Sequence, residues 1–105
     1  MSRFTLSPLA RGDLEAVWEY IGVEKDRPDA AHRVIERLYE AFHFLGSQPL
    51  SGEARQDLAD LVPGVRSFSV GSYVIYYHPT SEGVRVGRVI HGARDVRALF
   101  SGHNP

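Results

Sequence analysis

The 105-residue chain is 43% hydrophobic and 24% charged, a globular composition that argues against wholesale disorder and predicts one domain over residues 1–105. It contains no cysteine, which excludes disulfide bonds, thiolate catalysis and cysteine-ligated metal sites. The net charge of −1 is unevenly divided: residues 1–65 hold seven Lys/Arg and eleven Asp/Glu, whereas residues 66–105 hold five and two. This basic excess is too small for a strong duplex-DNA binder.

An alternation of polar and apolar residues at 3–6 predicts a short strand at the beginning of the chain. Ser7 and Pro8 follow as an N-cap hydroxyl and a proline suited to the first helical position, so a helix begins there. We expect Gly22 to help end this first helix. Its apolar stripe has helical spacing and consists of Leu14, Val17, Trp18 and Ile21.

A second helix is predicted from Pro28 to about Leu45. Pro28 and Asp29 suit its first turn, where a negative charge complements the helix dipole, and Gly46 with Pro49 supplies a terminator. The wide apolar stripe of this helix consists of Ala31, Val34, Ile35, Leu38, Ala41, Phe42 and Leu45. The two helices are expected to form an antiparallel hairpin.

The second half of the chain changes to β-strand chemistry. Residues 46–64 are rich in turn formers, with Leu58, Leu61 and Val62 as anchors. Three segments rich in Val, Ile, Tyr and Phe then predict an antiparallel meander, at residues 65–70, 73–78 and 84–91. Residues 94–100 can form one or two closing helical turns.

The predicted order of elements is therefore β-α-α-β-β-β. The economical arrangement is an α+β fold in which a helical hairpin packs on one face of a small, mainly antiparallel sheet. We expect the opposite face of the sheet to stay uncovered and to bind another macromolecule.

The sequence gives no sign of a membrane protein. The densest apolar run, residues 74–77, has four residues, whereas a membrane-spanning helix needs about 20. The N-terminal residues have no secretory-leader pattern. We therefore expect a cytoplasmic protein with no membrane partner.

The five histidines do not form a metal site or an acid–base pair in this fold. His32 and His43 would lie about 16 Å apart along the second helix, and His78 and His91 about 23 Å apart along a hairpin; His103 is the fifth. The sequence also has no Gly-x-Ser-x-Gly elbow and no phosphate-binding glycine loop. We predict no metal and no cofactor.

Taken together, the motifs resemble the ParE/RelE toxin superfamily, and within it the ParE-like toxins of bacterial toxin–antitoxin pairs. The resemblance covers nearly the whole chain, and the superfamily shares the β-α-α-β-β-β order. The segments that carry it are Leu6–Leu14, Trp18–Ile21, Pro63–Phe68, Gly71–Tyr77 and Val89–Asp95.

The superfamily has two functional classes, and several positions bear on the choice. RelE-like members are ribosome-dependent messenger RNA endonucleases whose sites use several Lys and Arg residues and a C-terminal Tyr. Arg94 matches one of those arginines, but Val74 and Phe100 stand where an arginine and the tyrosine are expected. The sole lysine, Lys25, lies in the turn between the helices. Because losing a positioned cation or a proton-transfer group costs orders of magnitude in rate, the resemblance implies a non-enzymatic, ParE-like toxin.

Resemblance to ParE-like toxins implies inhibition of DNA gyrase by binding. It also implies a cognate antitoxin with a flexible segment that becomes ordered on the toxin. One alternative is a RelE-like ribonuclease with a rearranged site around Arg66, Arg88, His91 and Arg94, and another is an inactive member that only binds its antitoxin. Direct sequence-specific DNA binding by this chain alone is not expected.

For target binding we predict a basic, aromatic surface near one end of the sheet. The residues of this surface lie close together only if the predicted strand register is correct. The plainer interpretation of the aromatic residues is core packing with a phenol at the rim. For His91 it is a strand-end side chain satisfied by hydrogen bonds. The predicted binding residues are Arg66, Tyr73, Arg88, His91 and Arg94.

Overall fold

The computed structural model describes residues 3–101, so His103, the fifth histidine, lies outside the described residues. The elements confirm the predicted α+β fold, with one short strand that the sequence did not predict. In chain order they are β1 (Phe4–Leu6), α1 (Pro8–Trp18), a π-helical segment (Glu19–Glu24), α2 (Pro28–Ser47), β2 (Glu53–Ala54), a 3₁₀ turn (Gln56–Leu58), β3 (Arg66–Val70), β4 (Tyr73–Pro79), β5 (Val84–His91) and α3 (Val96–Phe100). No helix within this range combines the length and the apolar character that crossing a bilayer requires.

The sheet has the strand order β1-β5-β4-β3-β2. β3, β4 and β5 pair antiparallel in sequence order, which confirms the predicted meander. β1 pairs parallel with β5, with Phe4 opposite Val84 and Leu6 opposite Val86. β2 adds only two residues at the other edge, beside β3. Because β1 ends at Leu6, no strand within residues 3–101 pairs with β5 on its β1 side beyond Val86.

One face of the sheet is covered by the α1–α2 hairpin, as predicted. Ser7 caps α1 because its Oγ accepts a hydrogen bond from the backbone N–H of Ala10, and Pro8 occupies the first turn. The apolar stripes of both helices meet alternate side chains of β4 and β5, and burial of these side chains is the main favourable term in folding. The core on this face consists of Ala10, Leu14, Leu38, Ala41, Phe42, Leu45, Ile75, Tyr77, Val84, Val86 and Val89.

The prediction that Gly22 ends the first helix is wrong. α1 ends at Trp18, and the chain continues as the π-helical segment through Gly22 to Glu24. Gly22 is buried, and a Cβ atom at this position would lie 3.4 Å from the Cβ of Ala31. The missing side chain therefore lets the π-helical segment approach α2 closely.

α2 ends at Ser47, close to the predicted end near Leu45, but Gly46 lies in the last turn of the helix and does not terminate it. Gly46 is buried, and a Cβ atom there would lie 3.1 Å from backbone atoms of Arg3. Its role is close packing of α2 against the backbone that leads into β1.

The second face of the sheet is not bare, contrary to the sequence-based expectation. The closing helical turns form α3, as predicted, and together with the 3₁₀ turn they bring apolar side chains back over the sheet. Of the predicted anchors, Leu58 is fully buried and Val62 packs against it. This second cluster consists of Leu58, Val65, Tyr76 and Ile90, with Val62, Val74, Val96, Leu99 and Phe100 packed around them.

α3 is tied down by Arg97. Its Nη2 lies 2.7 Å from Oδ2 of Asp60, and its Nη1 donates to the backbone carbonyl of Asp57 at 2.7 Å. The hydrogen bond from Arg97 lowers the pKa of Asp60 below 3.8. The Asp60 carboxylate therefore stays ionised through neutral and mildly acidic pH.

A buried tyrosine holds the loop between α2 and β2. The Tyr77 Oη donates to the carbonyl of Pro49 at 2.7 Å and accepts from the N–H of Gly52 at 2.9 Å. A Cβ atom on Gly52 would lie 2.5 Å from the Tyr77 Oη and 2.6 Å from the Ser67 carbonyl oxygen. The loop can approach the phenol only because residue 52 is a glycine.

Replacing Tyr77 by Phe should lower the free energy of unfolding by about 1–3 kcal/mol, because the buried Gly52 N–H and Pro49 carbonyl lose their partner. Urea denaturation of the purified chain measures the change. Tyr39→Phe is the matched control, since Tyr39 packs against Phe4 and Phe42 through its ring. Equal stability of the two variants would show that the Tyr77 hydroxyl contributes nothing.

Acidification should weaken the attachment of α3 to the 3₁₀ turn, while the apolar contacts of α3 remain. The stabilisation from Asp60 is present above pH 3.8 and is lost as the pH falls through the lower pKa of the folded state. NMR amide shifts of residues 96–100, followed from pH 6 to pH 2, report this loss. The Asp60→Asn variant, which cannot titrate at this position, should show a smaller change; an unchanged titration would contradict the role of the ion pair.

Candidate functional site

The largest concave feature around the predicted residues is a groove at the end of the sheet where β4 begins and β5 ends. It consists of two adjoining depressions of about 350 and 510 Å³ that share Tyr20, Tyr73 and His91. We call it the Tyr73 groove. The first depression is completed by Ile21, Val34, Arg37, Val70, Gly71 and Ser72. The second is completed by Asp13, Ala16, Val17, Glu24, Arg88, Val89, Ile90, Arg94 and Leu99.

Tyr73 and His91 form the ridge between the depressions. They are opposite each other in the β4–β5 register, and their rings meet edge to face with centroids 5.5 Å apart. The His91 Nδ1 accepts the backbone N–H of Ala93 at 3.1 Å. Burial, with a smaller contribution from Tyr20, raises the pKa of Tyr73 above 10. At neutral pH its phenol is therefore protonated and can donate a hydrogen bond.

Tyr20 is a groove residue that the sequence did not indicate. It lies in the π-helical segment and is half exposed. The Lys25 Nζ lies over its ring, 5.4 Å from the ring centroid. A π-helix has a wider turn than an α-helix, so the angular positions of Glu19 onward cannot be extrapolated from the α1 stripe. The wider turn places the Tyr20 side chain in the groove.

Arg88 lines the groove but is not a free cation. Its Nε and Nη2 donate to the two carboxylate oxygens of Asp13, each at 2.9 Å, and Asp13 also accepts the backbone N–H of Val89 at 2.8 Å. The side chains of Arg88 and Asp13 are only 17% and 14% exposed. The hydrogen bond to Asp13 raises the pKa of Arg88. Arg88 therefore joins α1 to β5 and is not available to a partner.

The same junction includes the N-cap of α1. The backbone N–H of Ser7 donates to the Val86 carbonyl at 2.9 Å, and the Ser7 Oγ donates to the Gly87 carbonyl at 2.7 Å. Together, Ser7 and Asp13 satisfy backbone groups of β5 at the point where β1 ends. α1 thus covers part of the sheet edge that β1 leaves open.

Arg66 lies outside the groove. It pairs with Tyr77 in the β3–β4 register, four residues along β4 from Tyr73, or about 13 Å at 3.3 Å per residue. Its Nη2 donates to the carbonyls of Leu50 and Gly52 at 3.1 and 2.7 Å. The structure therefore brings together four of the five predicted residues, namely Tyr73, Arg88, His91 and Arg94, and it places Arg66 in the loop attachment near β2.

Two guanidinium groups of the groove are unengaged. Arg94 follows β5 in the turn before α3 and lines only the second depression, and Arg37 projects from α2 and lines only the first. Both residues are exposed. Neither side chain has an ion pair or hydrogen bond within residues 3–101. These two are the cations that the lining of the groove can offer to a partner.

The positions expected to carry catalytic groups in RelE-like enzymes are part of the apolar packing. Val74 and Phe100 both belong to the second cluster, and the ring of Phe100 meets that of Tyr76 edge to face at 5.3 Å. Across the described part of the chain, no group of three or more His, Asp or Glu side chains is placed to hold a metal ion.

The comparisons with known proteins agree on one family. The family model described as the ParE toxin of the type II toxin–antitoxin system parDE matches residues 4–96. The chain is 33% identical over 96 residues to Toxin ParE1 of Mycobacterium tuberculosis, covering 90% of this chain and 94% of that protein. It is 30% identical over 98 residues to Toxin ParE3 of Caulobacter vibrioides, covering 93% and 94%.

A solved structure has the same fold. The chain superposes on a chain from "Chromosomal ParDE TA system from P. aeruginosa" with a TM-score of 0.69 at 18% identity. The superposition covers 87% of this chain and 96% of that one.

The ion pair between Asp13 and Arg88 can be tested by a double-mutant cycle. Asp13→Ala should lower the free energy of unfolding by about 2–3 kcal/mol, because it leaves a largely buried guanidinium and the Val89 N–H without a partner. The double variant Asp13→Ala/Arg88→Ala should lose less free energy of unfolding than the two single variants lose in sum, by about 1–2 kcal/mol.

Glu15→Ala, an exposed site on the same helix, is the control for this cycle and should change stability by less than about 0.5 kcal/mol. Urea denaturation measures the four proteins of the cycle and the Glu15→Ala control. If Asp13→Ala lowers the free energy of unfolding no more than Glu15→Ala does, the ion pair does not hold α1 on β5.

Proposed function

The chain belongs to the ParE toxin family of type II toxin–antitoxin systems, and from that premise we propose that it inhibits DNA gyrase by binding through the Tyr73 groove. Inhibition of gyrase is the activity that membership in the ParE-like class implies. Action on gyrase also places the protein in the cytoplasm. The observation that carries the choice of surface is the groove itself, where Tyr73, His91 and the unengaged Arg94 meet.

We propose that the inhibition needs no bond chemistry by this chain. A ribonuclease site requires cations free to contact the phosphate and groups able to transfer protons. Arg88 is engaged by Asp13, and Val74 and Phe100 are packed in an apolar cluster. The groove therefore suits contact with another macromolecule better than catalysis.

We further propose that a cognate antitoxin neutralises the protein. Type II systems pair a toxin with an antitoxin, and the solved structure with the same fold comes from a chromosomal ParDE TA system of P. aeruginosa. Several large apolar side chains on the helices are exposed and suit such a partner, among them Leu9, Trp18, Tyr39 and Phe44.

Arg94→Ala should weaken gyrase inhibition while leaving the fold intact. An exposed arginine at a binding centre contributes about 1–2 kcal/mol, so the concentration for half inhibition should rise about tenfold. A supercoiling assay with purified gyrase and relaxed plasmid measures the change. Arg85→Ala, at the far end of β5, should inhibit like the wild type.

Two results would count against the proposal. Codon-phased cleavage of messenger RNA on ribosomes, with no effect on supercoiling, would support the RelE-like ribonuclease. Activity in neither assay would support a member that only binds its antitoxin.

A further inference from the structure

We infer that the Tyr73 groove takes an extended acidic segment of the target protein, with an apolar residue held between carboxylates. The apolar residue would rest against Tyr20 and Tyr73, and the carboxylates would reach Arg37 and Arg94. This inference rests on the proposed function, because it specifies what the target presents to the groove.

The shape of the groove favours an extended chain. Its two depressions lie in series and share only Tyr20, Tyr73 and His91. A segment that fills both must cross this aromatic ridge, which offers ring faces and edges to an apolar side chain.

The charges at the two ends favour carboxylates. Arg37 lines only the first depression and Arg94 only the second, and both guanidinium groups are unengaged within residues 3–101. Asp13 is neutralised by its bidentate contact with Arg88. Glu24 is the remaining carboxylate of the lining, and Lys25 lies close by over Tyr20. A segment with two carboxylates complements this arrangement.

A nucleic acid fits the same surface less well. Strong binders of duplex DNA neutralise about 6–10 phosphates, whereas the groove offers two unengaged guanidinium groups. A short acidic polypeptide needs only two carboxylates to match these two cations.

A phage-displayed library of linear twelve-residue peptides, selected on the full chain, tests the inference. Selected peptides should carry at least two Asp or Glu residues flanking an apolar residue. In fluorescence anisotropy, Arg37→Glu and Arg94→Glu should each weaken their binding about tenfold, and added salt should weaken it further. Arg85→Glu is the matched control, since it makes the same charge change at the opposite end of β5; thermal melts verify that all variants fold.

The outcomes separate clearly. Peptides without carboxylates, no selected peptide at all, or equal losses in Arg85→Glu would overturn the inference. Tighter binding of a single-stranded oligonucleotide would replace the acidic peptide with a nucleic acid. The supercoiling assay is scored separately. Acidic peptides without gyrase inhibition would overturn only the proposed function. Gyrase inhibition that Arg94→Glu weakens but Arg37→Glu leaves unchanged would overturn only this inference, whereas inhibition insensitive to both variants would also overturn the groove as the binding surface.

Discussion

The arrangement of the whole site depends on one carboxylate, that of Asp13. It accepts hydrogen bonds from the Arg88 side chain and from the Val89 backbone, and thereby fixes α1 beside β5 just beyond the end of β1. An unpaired backbone N–H or a lone buried guanidinium would be costly here, so the contact satisfies two needs at once. With α1 fixed, the π-helical segment that follows it must pass over the end of β4, and Tyr20 arrives beside Tyr73. The groove thus forms because β1 is short and α1 covers the part of the β5 edge that β1 leaves unpaired.

Most of the fold follows from local chemistry that can be read in the sequence. Ser7 with Pro8 and Pro28 with Asp29 mark helix starts because their side chains and fixed φ angles suit the first turn. Alternating Val, Ile and Tyr residues mark the meander because a strand exposes its two faces in turn. The errors occur where tertiary contacts decide. Gly22 and Gly46 have the composition of helix ends, yet both are buried inside helical segments where another part of the chain approaches closely. The sequence of β2 has no strand pattern. Its two residues are extended because they pair with β3.

The site was less predictable than the fold for the same reason. The pairing of Tyr73 with His91 follows from the hairpin register and could be anticipated. The partner of Arg88 could not, because Asp13 is 75 residues away along the chain. The separation of Arg66 from the groove is a matter of register, four residues along β4, that composition does not reveal. Tyr20 was missed because the helix widens before it. Charge and aromatic content therefore predicted the end of the sheet where the groove lies, whereas contacts between distant segments decided which side chains remain free there.

The parallel pairing of β1 with β5 has a consequence for the order of events during synthesis. Phe4 meets Val84, so the earliest strand of the sheet stays without its neighbour until 80 further residues have been made. At about 5–20 residues per second, that interval is about 4–16 s. Pairing between such distant segments is also slow because a long loop must close first. A ribosome translating this chain therefore carries it for seconds without the Tyr73 groove, and a partner already present in the cell can meet the chain before that groove is complete.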